Sequence, residues 1–95
     1  MTTLERLQSW YMKQCDGDWE HSNGITISTL DNPGWSIEIR IEETAVESKS
    51  FARLEREKTE TDWMHAWSTG QSFCVRCGPN NLEEALILFC DWAGA

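Results

Sequence analysis

The run from Ile25 to Glu42 constrains the fold of this chain more than any other. Ile25 and Ile27 alternate with Thr26 and Ser28, and further on Trp35, Ile37, Ile39 and Ile41 alternate with Ser36, Glu38, Arg40 and Glu42. A period of two sends apolar side chains to one side of a strand and polar ones to the other, so both segments are strands of a sheet with one buried face and one wet face. Between them, Asn32-Pro33-Gly34-Trp35 predicts a type II turn, in which proline presets the first central dihedral and Gly34 takes the positive φ of the second. A sheet that is wet on one side must be covered on the other.

The two ends of the chain supply that cover. Thr2 and Glu5 fit a capping box, and Leu4, Leu7 and Tyr11, with Trp10 beside them, recur at helical spacing up to about Gln14. Gly17 is available for a left-handed position after the last turn. Near the other end Asn80 is placed to cap a second helix, with Glu83 three residues on. Leu82, Leu86, Phe89 and Ala93 form its apolar stripe, widened by Ala85. Between the hairpin and this helix, residues 43–50 read as a surface loop, and Phe51 to Lys58 as a strand that needs a bulge to turn both Phe51 and Leu54 inward. Trp63, His65 and Trp67 share one strand parity; Phe73, Val75 and Cys77 share one on the last strand. The expected architecture is α+β: a single two-layer domain over residues 1–95, whose antiparallel sheet of four to five strands runs as a meander with the N- and C-terminal helices packed on one face.

Sixteen Asp and Glu against eight Lys and Arg give a net charge of −8. That charge repels a phosphate backbone, which argues against direct nucleic-acid or membrane binding and favours a basic partner. No stretch approaches the roughly 20 apolar residues of a membrane span, and the N-terminus lacks the layout of a signal peptide, so the expected location is cytoplasmic. The four cysteines, Cys15, Cys74, Cys77 and Cys90, are then expected as reduced thiols. Cys74-Val75-Arg76-Cys77 has a metal or redox spacing, yet on a strand residues three apart point to opposite faces.

Three motifs, taken in order and spacing, carry a resemblance. They are Cys15-Asp16-Gly17-Asp18-Trp19-Glu20-His21, Leu30-Asp31-Asn32-Pro33-Gly34-Trp35 and Gly78-Pro79-Asn80-Asn81-Leu82-Glu83-Glu84, with the pair Asp62-Trp63 between the last two. From about Leu7 to Trp92 the chain resembles the immunity protein 53 family of bacterial polymorphic-toxin immunity proteins. The resemblance implies an α+β protein encoded beside a toxin, which protects the producing cell by binding the toxin domain. It departs from the expected pattern at Arg56, a strand position where an apolar residue is expected, and in the Cys74 and Cys77 pair.

Several residues are candidates for the binding surface. Asp16, Asp18, Glu20 and His21 follow the first helix, where they either cap backbone donors, meet a partner, or hold a divalent metal as a small hydrolase would. Of six tryptophans most are expected in the core, with Trp19 and one of Trp63 or Trp67 exposed, Trp63, His65 and Trp67 facing away from the helices. Exposed tryptophan also suits a sugar-binding or adaptor module. Glu38 and Glu42, with Glu55 and Glu57, lie on the polar strand face, partly neutralised by Arg40, Arg53 and Arg56; against a nuclease toxin they would imitate phosphates. The leading expectation is a stoichiometric inhibitor of a basic cognate toxin domain, itself a monomer or weak homodimer, with no catalytic residues, cofactor or metal.

Overall fold

The computed structural model describes residues 1–95 as three helices and five strands in the order α1 (Thr3–Gln14), α2 (Trp19–Ser22), β1 (Ile25–Leu30), β2 (Gly34–Arg40), β3 (Leu54–Thr59), β4 (Asp62–Ser68), β5 (Ser72–Cys77) and α3 (Leu82–Ala93). The strands form one antiparallel sheet in the order β1-β2-β5-β4-β3. This is the expected α+β architecture. Its meander comes in two pieces, β1-β2 and β3-β4-β5, which join through β2 and β5 because residues 41–53 carry the chain across to the far edge.

Register decides which side chains share a face, since residues directly opposite each other in a ladder point the same way. Trp35, Ile37 and Ile39 of β2 oppose Cys77, Val75 and Phe73 of β5, which with Met64 and Ala66 of β4 form the covered face. Onto it α1 sets Leu7 and Trp10, and α3 sets Ala85, Leu86, Phe89 and Cys90, all buried. Leu4, expected in that stripe, is exposed; it sits on the first turn of α1, where it borders a shallow groove with Leu82 and Leu86. An aromatic chain runs through the layer: Trp19 on Trp10, Trp10 edge-on to Phe89 at 4.9 Å, Phe89 against Phe73, and Phe73 stacked with Trp92 at 5.1 Å.

The structure corrects several local expectations. The Asn32-Pro33 peptide is cis, and Gly34 has no positive φ, so the turn is not type II. Gly34 is needed for space instead: a Cβ there would lie 2.4 Å from the Cys77 carbonyl oxygen and 3.1 Å from the Trp63 ring. No bulge is needed to reconcile Phe51 with Leu54, because β3 starts at Leu54 and Phe51 packs from the preceding segment onto Phe73 and Trp92. The register shift in β3 falls later, between Glu57 and Thr59.

Arg56 opposes Met64 and so lies on the helix side of β3, not on the polar face. It replaces an apolar residue by bonding both carboxylate oxygens of Glu84 on α3 and, at 2.9 Å, Asp62 of β4. The α3 cap is Asn81 rather than Asn80. Its buried side chain accepts from the Trp63 amide and donates to Asp62 and Glu84, so one amide ties β4 to the start of α3.

Candidate functional site

The other face of the sheet carries no helix. By register it presents Thr26 and Ser28 of β1, Ser36, Glu38 and Arg40 of β2, Ser72, Cys74 and Arg76 of β5, Trp63, His65 and Trp67 of β4, and Glu55 and Glu57 of β3. Trp67 opposes Cys74 and is flanked by two guanidinium groups, with Arg53 5.2 Å and Arg76 5.5 Å from its ring centroid. Cation–π contacts with both guanidiniums restrain the indole. Trp63 meets the His65 ring edge-on at 5.9 Å, and His65 Nε2 lies 3.2 Å from Glu57. Both tryptophans are half-buried, so each keeps part of its surface in solvent.

Two shallow grooves flank this face. One, of about 760 Å³, opens between Asn32-Pro33, Trp63, His65 and the β3–β4 turn. The other, of about 350 Å³, lies between His21-Ser22-Asn23 and the polar side chains Glu38 and Arg40. Beside it Ser72 Oγ donates to Glu38 at 2.8 Å, while Arg40 bonds Glu42 at 2.6 Å and reaches Ser72 and Asn23. The carboxylates expected to imitate phosphate are therefore engaged: Glu38 with Ser72, Glu42 with Arg40, Glu55 with Arg53 and Glu57 with His65. The guanidinium beside Glu55 holds its carboxyl below the usual range.

The cluster after α1 is organised differently. Asp16 Oδ1 accepts from the Asp18 and Trp19 amides, and Glu20 reaches back to the Asp16 and Gly17 amides, so the two carboxylates tie the turn at residues 16–18 to the start of α2. Those backbone donors lower the pKa of Asp16, and backbone amides, led by its own, lower that of Glu20. Asp18 stands at the N-cap with no side-chain bond of its own, and His21 is exposed. Nowhere do three His, Cys, Asp or Glu side chains gather closely enough to share a metal ion.

Trp19 is not exposed as expected but 5% accessible, packed on Trp10 and Tyr11. The polar sequence around it concealed a short helix that turns its ring inward, where Nε1 donates to the Glu42 carbonyl at 2.8 Å. That bond sets the turn at residues 16–20 beside the end of β2.

The structure thus gathers Glu38, Trp63, His65 and Trp67 on one face, places Glu42 and His21 at its margin, and engages Asp16 and Glu20 with backbone amides of the turn before α2. Sequence reasoning missed Arg76 and the use of Arg53. Strand parity marks Arg76 as polar-facing, but only the pairing of β4 with its two neighbours brings both guanidiniums to Trp67. Of the cysteines, Cys77 and Cys90 are buried among the helix-side core, and Cys74 lies beneath the open face between Glu38 and Trp67. All four are free thiols; burial pushes Cys77 up to about 11 and raises Cys74 and Cys90 as well.

No helix is long and apolar enough to cross a membrane. No curated protein and no solved structure matches the chain. The sequence model of one family, immunity protein 53, matches residues 4–94, from the first turn of α1 to the glycine that ends α3, and the chain therefore belongs to the immunity protein 53 family.

Proposed function

We infer that this protein neutralises a cognate bacterial toxin domain by one-to-one association in the cytoplasm of the producing cell, without catalysis, and that the toxin docks on the helix-free sheet face. Family membership supports the role. The observation that carries the placement is Trp67 in cation–π contact with both Arg53 and Arg76, with Trp63 on the same strand face. Tryptophan and arginine dominate the energetics of protein interfaces, and an aromatic already held in place loses little entropy on binding.

The face itself is nearly balanced, with Glu38, Glu55 and Glu57 set against Arg40, Arg53 and Arg76. The net charge of −8 belongs mostly to the rest of the surface, where it steers a basic toxin toward the complex rather than filling its active site with phosphate mimics. Titration calorimetry against the toxin domain encoded beside the gene tests the reading. A nanomolar constant, about −12 kcal/mol, is expected for the native chain, and Trp67→Ala should weaken it by at least about tenfold. Tight binding unchanged by Trp67→Ala and Trp63→Ala would move the interface elsewhere, and no binding at micromolar concentration would refute the pairing with that toxin.

A further inference from the structure

The two edges of the sheet are built differently. The β3 edge carries four charged residues in succession, Glu55, Arg56, Glu57 and Lys58, and a register shift between Glu57 and Thr59. Charges and bulges are the usual means of keeping a strand edge from pairing with another chain. The β1 edge, Ile25-Thr26-Ile27-Ser28-Thr29-Leu30, has no charged residue, no proline and an unbroken register with β2. Ile27 at its centre is 41% exposed.

The ladder shows which backbone groups of β1 remain free. The Arg40 amide donates to the Gly24 carbonyl, so Gly24 and, by alternation, Thr26, Ser28 and Leu30 bond inward to β2. Ile25, Ile27 and Thr29 turn their amides and carbonyls outward. We propose that the β1 edge pairs with the β1 edge of a second copy of this chain, antiparallel about a two-fold axis through Ile27. In that register Ile27 faces Ile27 and Ile25 faces Thr29, so all three outward residues are satisfied at once. No other antiparallel register uses all three. Because β1 is uncharged, the seam sets no like charges against each other. Residues that face each other in a ladder share a side, so the two helix-free faces lie next to each other in one continuous sheet.

The seam is small. Six residues span about 20 Å, and a contact of that length falls below the roughly 1,200 Å² at which stable interfaces begin. The dimer is therefore weak and concentration-dependent. Each copy carries a charge of −8, so added salt strengthens the association by screening their repulsion, opposite to its effect on a basic partner.

Sedimentation velocity on the isolated protein across a wide concentration range, at low and high sodium chloride, tests the proposal. The native chain is expected to shift from monomer to dimer as concentration and salt rise. Ile27→Lys places two ammonium groups face to face and should lower the association constant by about tenfold or more. Ile27→Pro removes an outward amide that β2 does not use and should act alike. Circular dichroism and thermal melting of both variants, matching the native chain, establish that they fold. A native chain that stays monomeric throughout, or a dimer that survives either folded variant, overturns the proposal. Neither result bears on toxin binding through the open face, which Trp67→Ala reads separately.

Discussion

Removing the Asn81 side chain should destabilise the protein more than any other single polar deletion. Asn81 is 5% exposed, and its amide makes three bonds: Trp63 N–H to Oδ1 at 3.2 Å, and Nδ2 to Asp62 and to Glu84, both at 3.0 Å. In Asn81→Ala the Trp63 amide is left without a partner, at about 1–3 kcal/mol for a buried donor. The two bonds to charged acceptors would contribute about 1.5–3 kcal/mol each if fully shielded. Glu84 is half exposed and both carboxylates keep Arg56, so most of that is recovered through water and the guanidinium. The expected net loss is about 3 kcal/mol, which for a domain this size lowers Tm by roughly 12–24 °C. Urea unfolding followed by tryptophan fluorescence measures it. Asn81→Asp provides the control: it retains the acceptor for Trp63 but sets a third carboxylate beside Asp62 and Glu84. It should be destabilised at neutral pH and recover part of that loss in mild acid. A loss below about 1 kcal/mol for Asn81→Ala, or no pH dependence in Asn81→Asp, would refute the assignment of Asn81 as the tie between β4 and α3.

Trp19→Ala should cost about 3–5 kcal/mol, the range for emptying a buried tryptophan site, and abolish toxin binding only by unfolding the protein; a folded variant that binds weakly would instead return Trp19 to the interface. Native stability should fall as pH drops below the ordinary carboxylate range. Asp16, Glu20 and Glu84 all have lowered pKa values, so their contribution is full above their unfolded values near 4 and is lost as protons are forced on below them. Thermal melts between neutral pH and strong acid read this, and Asp16→Asn with Glu20→Gln should flatten the slope. Ellman's reagent at mildly alkaline pH should label Cys15 in the folded protein and the buried Cys74, Cys77 and Cys90 only after unfolding; rapid reaction of all four would contradict their burial.

Much of the fold was legible because it rests on periodicity. Alternation from Ile25 to Ile41 marks the hairpin and its wet face, and the Thr2–Glu5 capping box starts α1 where expected. The same parity rule placed Trp63, His65 and Trp67 on the uncovered face. Local patterns failed where a side chain answers to a distant partner. Arg56 looks misplaced in a strand until Glu84, 28 residues on, is seen beside it. Trp19 looks exposed in its polar turn until Trp10 and the Glu42 carbonyl close around it. Gly34 looks like a turn glycine, yet it is the Cys77 carbonyl on another strand that leaves no room for a Cβ.

The sequence by itself determined the element types apart from the short α2, the two-layer arrangement and the family, since each follows from spacing along the chain or from motifs read in order. Only the tertiary structure decided that β5 inserts between β2 and β4, that Arg53 and Arg76 converge on Trp67, and that β1 is left as the unguarded edge. Periodicity specifies which way a side chain points from its own backbone. Which strand lies beside it is a matter of pairing between distant segments, which depends on the packing of the whole sheet under its helices.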